Sequence, residues 1–127
     1  MADQTLTKAM NKCIFCQIAA SESPATKEFE DDDVIVIHSI KPSAPLHLLV
    51  IPKKHITALT AVTAQDAPLL GKMLVVANNV ATQMGFADLG YKLAMNVGVG
   101  GGQVVPHIHL HVLGKKSASD SLESRVK

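Results

Sequence analysis

Two hydrophobic periods divide the chain. Between Thr63 and Met84 the residues Leu69, Met73, Val76, Ala77, Val80 and Met84 recur at helical spacing and form one apolar stripe. Thr63 or Asp66 supplies an N-cap, Pro68 fits an early turn and Gly85 a C-terminal stop, so this segment predicts the one long helix. Elsewhere the pattern is that of strands. Val34–His38 is a run of branched residues, and His47–Pro52, apolar on both faces, predicts a central strand. Thr26–Glu30 and Tyr91–Asn96 read as further strands, Glu30–Asp33 as a solvated turn and Lys41–Pro45 as a connection. Residues 13–20 predict a short N-terminal helix, interrupted by Ser21–Pro24. The last element is Pro106–Gly114, in which His107, His109 and His111 alternate with Ile108, Leu110 and Val112. Successive side chains of a strand point to opposite faces, so the histidines share one face and the aliphatic residues anchor the other. Five strands around one long helix make an α+β fold with a mainly antiparallel sheet. The domain spans 13–114, between a flexible polar segment at 1–12 and a polar, Ser-rich tail at 115–127.

Composition narrows the function. A chain of 127 residues, 47% hydrophobic, suits one globular domain with an adequate core. A net charge of +1 gives no broad basic surface for nucleic acid. Phe15, Phe29, Phe86 and Tyr91 are too few to stack the bases of a single strand. No apolar run is long enough to cross a bilayer, and residues 1–12 lack the apolar centre of a signal peptide. A cytoplasmic location is the expectation.

Three of six histidines lie within five residues. Solubility alone would be served by Thr, Lys or Glu. Imidazole offers a nucleophile, a proton carrier and a metal ligand near neutral pH. One metal shared by all three is disfavoured, because His107 and His111 are about 13 Å apart along a strand. A division of labour fits better: one end faces a metal, the middle attacks and the far end donates a proton. An imidazole nucleophile suits phosphorus, since the phosphoramidate formed is readily hydrolysed. The pattern therefore points to phosphoryl or nucleotidyl transfer.

Two other motifs are weaker. Cys13-Ile14-Phe15-Cys16 is, in a reducing compartment, a metal site or a redox pair, and as a zinc site it needs two further ligands, with histidine the expected type. Gly98–Gly102 can bring backbone N–H groups to a phosphate, or simply form a flexible hairpin. It is followed by a strand, so the dinucleotide fingerprint, which requires a helix there, does not apply.

The sequence resembles the histidine-triad (HIT) family, whose signature of three histidines alternating with apolar residues is matched by 107–113. It is most similar to the Hint branch, the purine nucleoside phosphoramidases, also called protein kinase C inhibitor-like proteins. Ile14-Phe15, Ala44–His47, Val50–Ile56, Gly101–Gln103 and His107–Gly114 carry the likeness, which runs from Cys13 to Gly114. The resemblance implies a homodimer whose sheets join into one larger sheet. It implies cleavage between the α-phosphate of a purine nucleoside monophosphate, AMP or GMP, and an amine or similar leaving group. By position, His109 is the nucleophile and forms a nucleotidyl-histidine. The carbonyl of His107 orients it, His111 protonates the leaving group, and His47 lies near the phosphate. Asn96, Gly102, Gln103 and Val104 fall in the phosphate and leaving-group region, and Ser39 at the ribose. Ile14, Phe15, Ile18, Ile37, Ile40 and Leu49 match the nucleobase pocket, whose aliphatic walls accept either purine. Some relatives hold a structural zinc, not required for chemistry, through ligands that correspond here to Cys13, Cys16, His55 and His107.

The chain departs from the branch in places. An acidic residue usually occupies the position of Ser39, and serine binds ribose hydroxyls more weakly than a carboxylate. Val104 stands where Ser is common and cannot hydrogen-bond through its side chain. Pro106 replaces an aromatic residue, and the tail lacks the branch's aromatic C-terminal segment. Two alternatives accompany the phosphoramidase reading: a dinucleoside polyphosphate hydrolase, and a nucleotide-binding module with weak catalysis.

Overall fold

A computed structural model describes residues 13–117. The flexible segment expected at 1–12 and most of the tail lie outside them. In chain order the elements are α1 (Ile14–Ala19), β1 (Lys27–Glu30), β2 (Val34–His38), β3 (Leu46–Pro52), α2 (Ala67–Gln83), β4 (Tyr91–Ala94) and β5 (Leu110–Gly114), with 3₁₀ turns between. The strands form one antiparallel sheet in the order β1-β2-β3-β5-β4. This is the expected α+β fold.

Period-two alternation gives the sheet two dry faces. Val34, Val36, Leu48, Val50, Leu110 and Val112 pack on one face against Met73, Val76, Ala77 and Val80 of α2. Ile35, Ile37, Leu49 and Ile51 pack on the other against Cys13, Phe15, Cys16 and Ile18 of the α1 segment. The apolar character of both faces of β2 and β3 is thereby explained. A capping box between Thr63 and Asp66 closes the 3₁₀ turn Ala64–Asp66 that leads into α2, and the Lys54 ammonium lies 2.6 Å from the buried Asp66 carboxylate. Gly85, at φ 85°, turns the chain after the helix.

The histidine strand is shorter than the alternation predicts. The ladder begins at Leu110, not Pro106. Pro106 has no N–H to give. The next two N–H groups go elsewhere, that of His107 to Val105 O (2.8 Å) and that of Ile108 to Ile56 O (2.8 Å). His107 and His109 therefore precede the ladder while keeping their alternation.

At the far end of β5, a Cβ built on Gly114 would lie 2.6 Å and 2.8 Å from ring carbons of Phe86. Phe86 is 2% exposed and cannot swing away. Gly114→Ala is expected to lower stability by about 1–3 kcal/mol through overpacking, seen as an earlier urea midpoint at unchanged slope. A midpoint at or above that of the parent would show that the ring yields freely.

Candidate active site and metal centre

The face of the sheet that α2 does not cover carries the imidazoles. His111 pairs with Leu49 on β3, and His47 lies two residues from Leu49 on the same face. The His47 and His111 rings are 5.1 Å apart, as are those of His109 and His111. His107 is fully buried, His109 7% exposed, and His111 half-buried. Thus His109, His111 and His47 form one group, and His107 turns inward from it.

Backbone groups set which nitrogen of each ring carries the proton. The His107 carbonyl, 2.8 Å from His109 Nδ1, can only accept, so Nδ1 carries the proton and the lone pair is on Nε2. Among the described residues nothing bonds to that Nε2, and no side-chain nitrogen is left both sealed and unpartnered. The central ring thus keeps a free lone pair. Ser43 N–H donates to His47 Nδ1 at 2.9 Å, so His47 Nε2–H donates to His111 Nδ1 at 2.8 Å. His111 in turn presents Nε2–H. A nucleophilic lone pair and a ring donor stand side by side.

Burial favours the neutral form of all four rings. It lowers His109, partly offset by the bond to the His107 carbonyl. It lowers His47, helped by the nearby His109. For His111, burial and the neighbouring His109 and His47 bring the pKa to about 4. Burial likewise takes His107 to about 4 against the opposing bond to Pro52 O. At neutral pH the His109 ring is therefore uncharged, with Nε2 unprotonated.

His107 belongs to a second cluster. Its Nε2–H donates to Pro52 O at 2.7 Å, which leaves the Nδ1 lone pair facing Cys13, Cys16 and His55. Cys13 Sγ and Cys16 Sγ lie 3.4 Å and 3.5 Å from His107 Nδ1, while His55 Nδ1 lies 3.1 Å from both Cys16 Sγ and His107 Nδ1. Tetrahedral zinc with bonds of about 2.3 Å to sulfur and 2.0–2.1 Å to nitrogen has edges of about 3.3 Å (N···N) and about 3.5 Å (N···S). The four residues fit that ion in donor type, number and spacing. With no cation present, burial and the adjacent Cys13 push the Cys16 thiol up to about 12. A cation would offset that penalty.

The remaining expected residues divide. Phe15, Ile18, Ile37 and Leu49 share one buried cluster beside the rings. Ile14 is 43% exposed, and Ile40 and Val104 stand almost wholly in solvent. Ser39 is half-buried, and its hydroxyl accepts from Lys41 N–H. The glycine loop is an ordered turn rather than a loose hairpin. Gly98 and Gly102 take φ 70° and 80°, and Asn96 Nδ2 donates to Gly101 O. The Gln103 amide is engaged at both ends, accepting from Gly98 N–H and donating to Thr57 O and Val105 O. The functional groups that sequence reasoning missed are main-chain ones: Ser43 N–H, Pro52 O and Ile56 O. No residue-type signal marks them.

The histidines, their tautomers and the Cys/His cluster can be set beside known proteins. The family model described as "Scavenger mRNA decapping enzyme C-term binding" matches residues 12–127. A curated relative, the purine nucleoside phosphoramidase of Escherichia coli (strain K12), is 43% identical over 101 residues, covering 80% of this chain and 85% of that protein. The crystal structure of a HIT family hydrolase from Legionella pneumophila is 47% identical with a TM-score of 0.81, over 84% of this chain and 95% of that one. The chain belongs to the histidine-triad family. A Zn-bound histidine triad family protein from Mycobacterium smegmatis is similar too, 30% identical with a TM-score of 0.76 over 93% of this chain and 84% of that one. The HIT fold read from residues 107–113 is thus the fold of this chain.

Proposed function

We propose that this HIT protein is a hydrolase that cleaves the bond between the α-phosphate of a purine nucleoside monophosphate and an amine or similar leaving group. One observation carries the reading: the His109 ring is pinned at Nδ1 by a carbonyl, while its Nε2 lone pair has no partner among the described residues. That is the state a nucleophile requires. Nε2 attacks phosphorus and the bond to the leaving nitrogen breaks, while His111, charged as an imidazolium beside the bound phosphate, gives that nitrogen its Nε2 proton and becomes neutral. Water then attacks the same phosphorus and gives its proton to His111 Nε2, the P–Nε2 bond breaks, and the monophosphate departs with both imidazoles restored. Bound phosphate is an anion beside His111, so it raises the depressed pKa of that ring and readies it for proton exchange. The cluster of Phe15, Ile18, Ile37 and Leu49 offers an apolar wall for the base.

The zinc ligand set would be Cys13, Cys16, His55 and His107. Zinc held by four protein ligands would tie the N-terminal segment to the catalytic strand. The open outer edge of β4 supports assembly as a homodimer through a continuous sheet, as does the groove of about 150 Å³ lined by Leu59, Leu74 and Met95. We also place the protein in the cytoplasm. Among the described residues no helix is long and apolar enough to cross a membrane.

The direct assay compares adenosine 5′-phosphoramidates with diadenosine polyphosphates. AMP should be released from the former at higher kcat/KM, and an alkaline denaturing quench should trap up to one nucleotide per site on His109. Faster cleavage of the polyphosphates would favour the polyphosphate hydrolase. Tight AMP binding with negligible turnover on both would favour a binding module.

A further inference from the structure

The metal cluster and the reacting imidazoles meet at two points, and both bear on His109. His107 spans them: its ring faces the thiols, while its carbonyl accepts the Nδ1–H of His109 at 2.8 Å. Phe15 spans them a second time. It lies between Cys13 and Cys16, it is 6% exposed, and its ring meets His107 edge-on at 5.9 Å and His109 edge-on at 5.0 Å. Edge-to-face contacts of this kind fix ring orientation.

The α1 segment is held on the sheet by side-chain packing, with Phe15, Cys16 and Ile18 against Ile35, Ile37, Leu49 and Ile51. His109 precedes the ladder, which starts at Leu110. Helix α1 has six residues, too few to be stable alone, and no side chain caps it. Its two cysteines are its link to His55 and His107.

We propose that occupancy of the Cys13/Cys16/His55/His107 cluster by zinc positions the nucleophile, with Phe15 as the positioning residue that passes the restraint to the His109 ring. Bound metal fixes the two cysteines. The cysteines fix α1, and α1 presses the Phe15 edge onto His109 while the His107 carbonyl holds Nδ1. Zinc takes no part in bond making here. It sets how often the His109 lone pair points at phosphorus. The inference rests on His109 being the nucleophile, but its principal readout does not require turnover. A cleft of about 390 Å³ lined by Cys13, Ile14, His55, Thr57, Val104, Val105 and Pro106 reaches the cluster, so a small chelator has a route to it.

The experiment is two-bond ¹H–¹⁵N NMR of the imidazoles in the full chain, loaded with one equivalent of zinc and then stripped with a chelator. Metal content is verified in both states. Loaded protein should show His109 as a single Nδ1–H tautomer. Stripped protein should show averaged tautomer shifts for His109, with the backbone amides of β2 and β3 unmoved and zinc restoring the first spectrum. Phe15→Leu with zinc bound should give the averaged spectrum despite a full cluster. Its kcat on an adenosine phosphoramidate should fall about 10–100-fold, the range typical when supporting contacts around a site are lost.

An unchanged His109 spectrum after verified loss of zinc would overturn the proposal. So would failure to take up zinc, or a locked His109 ring in Phe15→Leu. If stripping collapses the whole amide spectrum, zinc is holding the fold and not the ring, and the proposal again fails. Absence of phosphoramidase turnover, by contrast, defeats the functional reading and leaves the tautomer result standing.

Discussion

His109→Ala should abolish release of AMP from an adenosine phosphoramidate, lowering kcat/KM by at least about 10⁴-fold, while AMP still binds. The size follows from what is removed. In the proposed reaction the His109 Nε2 lone pair makes the covalent bond, and among the described residues no other group is placed to take over that step. His111 Nε2 carries a proton because Nδ1 accepts from His47, so it cannot substitute without breaking the relay that begins at Ser43 N–H. Loss of His111 removes proton transfer alone and should cost about 10²–10⁴-fold. The order His109 over His111 is itself a test. Equal losses in the two variants would mean they act as one unit, in which case single deletions say nothing about roles. Retained turnover in His109→Ala, with the fold verified by its amide spectrum, would remove the nucleophile assignment. Binding should persist because the apolar wall of Ile18, Ile37 and Leu49 does not depend on the lost ring.

The pattern of the chain disclosed the architecture where burial is two-sided or periodic. Val34–His38 was legible because every residue of it packs or lines a face, and α2 because Met73, Val76, Ala77 and Val80 fall on one stripe. The histidine alternation was legible for the same reason, with Ile108, Leu110 and Val112 buried under α2. The strand start was not. Alternation reports side-chain direction, whereas ladder membership depends on where each N–H goes, and that of Ile108 goes to Ile56.

The site divides in the same way. Side-chain chemistry announced the three imidazoles and the cysteine pair. It could not show that His107 faces inward and His109 outward, because the deciding groups are the carbonyls of Pro52 and of His107 itself. Gln103 shows the converse. The family resemblance sets it beside the phosphate, yet its amide clips the glycine turn to Thr57 and Val105. A polar side chain in a glycine loop has backbone partners close at hand, and sequence cannot rank those against a ligand.

The second large effect expected is an acid-induced loss of stability in a window set by imidazoles rather than carboxylates. His111 has a pKa of about 4 in the folded chain against an ordinary value of 6.5, and those of His47 and His109 are lowered as well. Between roughly pH 6.5 and 4 the unfolded chain binds protons that the folded chain refuses. The slope of unfolding free energy with pH is then positive, at most about 1.4 kcal/mol per pH unit for each such group. Stability therefore falls as pH drops from 6.5 and levels off for His111 once the folded ring also protonates near 4. Half-exposure of His111 tempers its share to about 1–3 kcal/mol in all. The ion-paired carboxylates act lower down. Lys72 holds Asp31 at about 2, and lysine partners lower Glu30 and Asp66, so their stabilisation is lost only as pH falls below their ordinary values of 3.8 to 4.5. Urea unfolding at half-unit pH steps, in excess chelator so that metal release adds nothing, separates the two windows. His111→Asn should reduce the slope between pH 6.5 and 4.5, with the remainder carried by His47, His107 and His109, and leave the lower window intact. A parent midpoint constant from pH 6.5 to 4.5 would mean that the folded rings accept protons readily, and with it would go the claim that they are held neutral for nucleophilic attack.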